Sequence, residues 1–228
     1  MTGIGQAGQG RFQDRRRSRE AGAFMQDRFQ LGRWTFDAGL RWDHYRLLVS
    51  ESAFSPRLGA AYHWEAPDLV LRASYDRVFQ TPAIENLLLT HALEGLPVRP
   101  SRGHFYEVGV RKGFGRLLRL EANQFWRRLR HFADDDVFLN TGISFPVAFE
   151  RARIHGTEVR LEIPGRKGLS GFASWSNLSG TGYLPLTGGL FLEEEAIERL
   201  RGQGSFPISQ DQRNTARGQF RFQPHARL

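Results

Sequence analysis

Residues able to do chemistry are plentiful in this chain, but their spacing suits no catalytic or metal site. The seven histidines, at positions 44, 63, 91, 104, 131, 155 and 225, contain no H-E-x-x-H motif and no pair four residues apart. Nothing therefore sets two imidazoles on one helical turn to hold a metal. Asp134-Asp135-Asp136 offers oxygen ligands that suit a hard cation, without the spaced ligands and glycine of a calcium loop, and reads as a solvated acidic loop. Gly3-Ile4-Gly5-Gln6-Ala7-Gly8 fits the dinucleotide fingerprint, yet no strand pattern precedes it and no helical pattern follows, so it reads as a glycine-rich lead-in. There is no cysteine, which removes disulfides, thiolate metal sites and a cysteine nucleophile. No G-x-S-x-G elbow occurs, and the carboxylates carry no mark of acid–base pairing. The expectation is a protein that is not an enzyme, with no metal and no cofactor.

The charge balance raises a second chemistry. With 32 Lys plus Arg against 24 Asp plus Glu, the 228-residue chain carries a formal net charge of +8, and Arg15-Arg16-Arg17-Ser18-Arg19 is a local cluster. Clustered arginines bind nucleic acid by releasing phosphate counterions. No aromatic platform or helical reader accompanies this cluster, so it reads as a solvated segment and no nucleic-acid partner is expected. At 40% hydrophobic and 12% aromatic residues the chain is too apolar for a disordered tail. It has no run of about 18 apolar residues that would cross a bilayer as a helix.

The elements that carry these side chains follow a period of two. In 34–43, Trp34, Phe36, Ala38, Leu40 and Trp42 alternate with Thr35, Asp37, Gly39, Arg41 and Asp43. A strand turns successive side chains to opposite faces, so this segment has one apolar and one charged side. The same alternation recurs in 57–64, 69–76, 106–111, 118–123, 157–163 and 215–222, and more weakly in 24–31 and 169–177. About nine strands result, of the length a tilted membrane strand needs.

The connections between them alternate short and long. Gly32-Arg33, 65–68, Phe114-Gly115 and 164–168 are short and rich in turn formers. Residues 46–53, 80–103, 133–149 and 180–210 are long. Short helices are expected within two of the long ones, at 82–93 behind Thr81-Pro82 and at 192–201 between Glu193 and Gly202. Rigid strands carrying variable loops place binding in the loops. The candidate ligand contacts are therefore His91, Arg99, Asp135, Asn140 and Tyr183.

Two solvents fit an alternating strand. A soluble β-sandwich buries its apolar face between sheets and would serve as a carbohydrate- or protein-binding module. A transmembrane barrel turns that face to lipid. Full charges at Asp37, Arg41, Arg57, Arg72, Glu107, Glu121, Glu158 and Arg160 suit a water-filled barrel wall. Aromatics bracket the apolar face at Trp34, Trp42, Tyr62, Trp64 and Phe220, as at the two interfaces of a membrane. On this reading Trp34, Phe36, Leu40, Trp42, Tyr62, Trp64, Leu71, Leu120 and Phe220 face lipid.

Several segments, taken together, resemble a known family. Ser55-Pro56-Arg57-Leu58-Gly59-Ala60-Ala61-Tyr62, then Leu71-Arg72-Ala73-Ser74-Tyr75-Asp76-Arg77-Val78-Phe79-Gln80-Thr81-Pro82, resemble the barrel of TonB-dependent outer-membrane receptors. So do Tyr106-Glu107-Val108-Gly109-Val110-Arg111-Lys112, Ile154-His155-Gly156-Thr157-Glu158-Val159 and Asp211-Gln212-Arg213-Asn214-Thr215. The resemblance covers residues 24–223. It implies an all-β, antiparallel up-and-down meander that is part of a barrel of about 22 strands around a plug. It also implies the bacterial outer membrane and uptake of a scarce nutrient (iron chelate, cobalamin, oligosaccharide or peptide). The expected partners are outer-membrane lipid, a small nutrient ligand, and TonB with its inner-membrane motor, acting through a plug region missing here. The expected organisation is a disordered or loop lead-in over 1–22 and a partial barrel domain over 23–228, a fragment not transport-competent alone.

Overall fold

The structure, a computed structural model, describes residues 17–46, 49–81, 99–138, 144–166, 168–189 and 204–223. Its strands are β1 (Arg19–Leu31), β2 (Trp34–Arg46), β3 (Ser50–Trp64), β4 (Leu69–Gln80), β5 (Ser101–Phe114), β6 (Leu118–Phe138), β7 (Ser144–Arg166), β8 (Leu169–Gly189), β9 (Ser205–Pro207) and β10 (Thr215–Phe222). They form one ten-stranded antiparallel sheet in the order β1-β2-β3-β4-β5-β6-β7-β8-β10, with the short β9 on β8. Tight turns follow where the backbone takes left-handed values, at Gly32 with φ +60° and Gly115 with φ +59°.

Register turns the alternation of each strand into two continuous faces. Leu31, Trp34, Tyr62, Leu71, Val110, Ala122, Val159, Trp175 and Ala216 pair in one unbroken row across the sheet. A one-residue slip of β4, β5, β6 or β7 would bring Arg72, Arg111, Glu121 or Arg160 into this row, so the pattern and the pairing specify each other there. No second sheet covers the row among the described residues, and Trp34 and Leu40 stay 44% and 46% exposed. The stacked sheets of the sandwich alternative are not there. Two of the polar side chains that intrude on this face find partners locally. Thr157 donates its hydroxyl proton to the Gln124 amide oxygen, and Lys112 reaches back to the Pro67 carbonyl.

The buried clusters lie toward the end with the long connections. Phe125, Leu129, Phe132, Phe149, Ala152, Ile154 and Ile208 form one of them. Tyr45 of β2 packs on Ala148 of β7, with Phe79 and Ala133 alongside, so the sheet is strongly coiled at that end.

One expected loop is mostly strand and another is strand in part. The connection read over 133–149 is occupied by β6 up to Phe138 and β7 from Ser144, and β8 runs on to Gly189 within the stretch read as 180–210. Alternation is broken there, which hides it in sequence. At His131, φ is +50°, and the side chains of Leu129 and Phe132 are both buried although they are three residues apart. The left-handed residue shifts the inward set by one residue while β6 and β7 stay in register through Asp134. The expected helices at 82–93 and 192–201, and Gly3 to Gly8, lie outside the described residues.

Candidate functional site

The charged face is a built surface rather than a scatter of surface ions. Arg28 pairs with Asp37 at 2.5 Å, Arg57 with Asp76 at 2.5 Å and Arg41 with Asp43 at 2.7 Å. Arg72 lies across two neighbouring strands, 3.3 Å from Glu107, 2.9 Å from Glu121, and donating to Asn123 Oδ1 at 2.8 Å. Gly109 makes that possible. A Cβ there would stand 2.7 Å from Arg72 Nε and 2.4 Å from Asn123 Oδ1. Such exposed pairs contribute little each, but as a lattice they order a polar wall.

Nearer the long connections the same face becomes apolar and is covered by chain. Residues 208–214 interrupt the path from β9 to β10 and tuck inward. The Ile208 N–H donates to the Gly180 carbonyl at 3.2 Å, and the Leu178 N–H to the Gln212 carbonyl at 2.9 Å. Gly180 leaves room for Ile208, whose side chain would meet a Cβ there at 2.5 Å. Asp134, buried at 3% exposure, pins this segment. It accepts from the Ser209 N–H at 2.8 Å and from the Ser209 hydroxyl at 2.5 Å. Arg127 lies 4.9 Å over Phe105 and 5.0 Å over Phe125, joining the polar wall to the apolar cluster.

The structure separates the expected ligand residues. His91 and Asn140 lie outside the described residues. Asp135 falls on β6 and Tyr183 on β8, paired with Arg151. The Tyr183 ring sits 5.4 Å below the Arg153 guanidinium. Arg99 is exposed, just ahead of the buried Pro100. It helps depress the pKa of His131, where burial is the larger cause and Arg102 and Arg130 act in the same direction as Arg99 against Glu51. In the 208–214 segment, Arg213 is held more firmly protonated by its hydrogen bond to Asp211 and then by that carboxylate's charge. Asp134 and Ser209 were not legible as partners, since 75 residues separate them.

All nine expected lipid-facing residues share the apolar face. Trp34 pairs with Tyr62, Tyr62 with Leu71, and Phe36, Leu40, Trp42, Trp64, Leu120 and Phe220 keep the same parity on their strands. A family model described as TonB dependent receptor-like, beta-barrel, matches residues 2–223. The chain belongs to that family. The TonB-dependent receptors are transporters and receptors of the bacterial outer membrane rather than enzymes, and that membrane is where this chain belongs. They act with TonB and a ligand.

Solved structures give the same fold. The FrpB iron transporter from Neisseria meningitidis matches with a TM-score of 0.59 at 18% identity, over 75% of this chain and 26% of that one. The copper transporter OprC matches at 0.59 and 15%, over 72% of this chain and 28% of that one. The ferripyoverdine receptor of the outer membrane of Pseudomonas aeruginosa matches at 0.52 and 17%, over 74% and 26%. The chain thus spans about a quarter of the length of these receptors. Comparison with curated proteins gives no match.

Proposed function

We propose that this sheet is part of the wall of a closed outer-membrane barrel that imports a scarce nutrient under the drive of TonB. The apolar face meets acyl chains, the charged face lines the lumen, and the long-connection end opens outside the cell. The observation that carries this reading is the unbroken apolar row from Leu31 to Ala216 backed by the ion-paired face. Unpaired sheet edges cannot lie in hydrocarbon. The outer edges of β1 and β10 have no partner among the described residues, so further strands close the barrel around them.

The nutrient class follows the neighbours, whose names give iron, copper and ferripyoverdine. A metal ion or its chelate is the substrate proposed here, with Arg99 at the outer end among its contacts. The test is uptake of labelled iron chelate and of copper by cells that carry or lack the intact protein, with and without an uncoupler. Energy-dependent uptake that requires the protein supports the reading, and equal uptake without it refutes it. The absence of native cysteine allows a direct check on orientation. Single cysteines at Leu40 and Leu71 are expected to resist a water-soluble maleimide in cells, whereas one at Ser74 on the opposite face is expected to react.

A further inference from the structure

We propose that Asp27 is one half of an ion pair at mid-membrane depth. Its partner is an arginine on the strand that lies against the outer edge of β1 in the intact protein. The proposal rests on the membrane orientation and barrel closure given above. Asp27 stands opposite Ala38, flanked by Phe29 opposite Phe36 and by Met25 opposite Leu40. A carboxylate therefore sits on the apolar face of β1. Its height follows from β2, where Ala38 lies midway between Trp34 and Trp42, the aromatics that bracket this face. Eight residues of strand span about 27 Å, of which roughly 20 Å lies along the membrane normal at a tilt of about 40°. Asp27 is thus about 10 Å from either interface, near the middle of the apolar band.

No described side chain balances that charge. Asp27 accepts a hydrogen bond from the Arg28 N–H at 2.8 Å and makes no ion pair with a described residue. The Arg28 side chain belongs to the other face, bound to Asp37 at 2.5 Å, and Arg41 is bound to Asp43 at 2.7 Å. Ala38 is too short to cover the carboxylate from the β2 side. What remains is the outer edge of β1, which has no partner among the described residues. Ionisable groups at this depth are costly in lipid and persist where they meet a partner. A strand docked on that edge sets one side chain directly across from Asp27, with Cβ atoms about 5 Å apart.

The sheet itself indicates which partner fits. Arg28 faces Asp37 and Arg57 faces Asp76 as direct cross-strand neighbours, each closed to 2.5 Å. The same geometry across the outer edge of β1 gives Asp27 a guanidinium. Its planar fork meets both carboxylate oxygens, and the attraction is stronger in hydrocarbon surroundings than on the wet face. A one-residue slip would turn that arginine to the lumen and leave Asp27 bare. The pair therefore fixes the register in which the barrel closes on β1.

The experiment places p-benzoylphenylalanine at position 27, and separately at position 40, of the intact protein in phospholipid vesicles. Adducts formed on illumination are mapped by mass spectrometry. Position 40 is expected to attach to phospholipid. Position 27 is expected to attach to the protein's own chain, on a strand that carries an arginine at the point of attachment. Urea midpoints of the same protein give the second arm. Asp27→Leu is expected to lower the midpoint. Asp27→Arg combined with replacement of the mapped arginine by Asp is expected to recover most of what either reversal loses alone. Phospholipid as the main adduct at position 27, no arginine on the mapped strand, or a midpoint that Asp27→Leu leaves unchanged or raises overturns the proposal. An adduct to a separate polypeptide also overturns it, in favour of a lateral partner. Failure at position 27 beside phospholipid adducts at position 40 sinks only this proposal, and absence of phospholipid adducts at position 40 sinks the membrane orientation.

Discussion

At the scale of single residues the two faces make opposite demands on neighbours in sequence. Leu40 and Arg41 are adjacent, yet one belongs to the apolar row system and the other pairs with Asp43. Leu40→Arg is expected to cost about 2–4 kcal/mol in bilayers, while Arg41→Leu, which gives up only an exposed pair, is expected to cost much less. Urea titration of the refolded intact protein measures both, and equal penalties contradict the assignment of faces. Gly109→Ala tests the cradle under Arg72. The added methyl displaces a guanidinium shared by Glu107, Glu121 and Asn123, at an expected cost of about 1 kcal/mol. Tyr45→Phe goes the other way. The Tyr45 hydroxyl is buried with no hydrogen-bond partner among the described residues, so its removal is expected to leave stability unchanged or raise it by up to about 1 kcal/mol.

At the scale of elements, what the chain adds to a plain meander is the inward tuck of 208–214 and the long tip of β6 and β7. Asp134→Ala removes both acceptors of Ser209 and with them the charge-assisted hydrogen bonds that hold the segment. The expected cost is about 1–3 kcal/mol, read as faster limited proteolysis between Ser205 and Arg213 in the intact protein. The tip also responds to pH. His131 lies on β6 beyond Trp126, outside the membrane span, with its pKa lowered by burial and then by Arg99. Its ordinary value is 6.5. As pH falls through that value the opened tip binds a proton that the folded tip resists, so stability present above it is lost on acidification. Amides of β6 near His131 are expected to exchange faster at pH 5.5 than at pH 7.5 after correction for intrinsic rates. His131→Asn, which keeps a residue tolerant of positive φ, is expected to abolish the difference.

At the scale of the whole molecule, a sheet whose outer edges have no partner among the described residues fits the proposed piece of wall. Backbone amides on the outer edge of β1 are expected to exchange slowly in the intact protein and rapidly in an isolated 19–223 segment. Equal protection in both would show that the sheet closes on itself. Much of this wall was legible in sequence because alternation is a local property: Trp34 to Asp43 declares its two faces without reference to any other strand. Turn chemistry at Gly32 and Gly115 is equally local. The tertiary structure alone decided which strand lies beside which and in what register, since cross-strand pairs such as Arg128 with Arg153 or Asp134 with Ser209 join residues far apart in the chain. It alone also showed β6, β7 and β8 continuing through stretches that read as loops. The left-handed backbone at His131 inverts the side-chain parity, and a period of two interrupted once looks, from sequence, like no period at all.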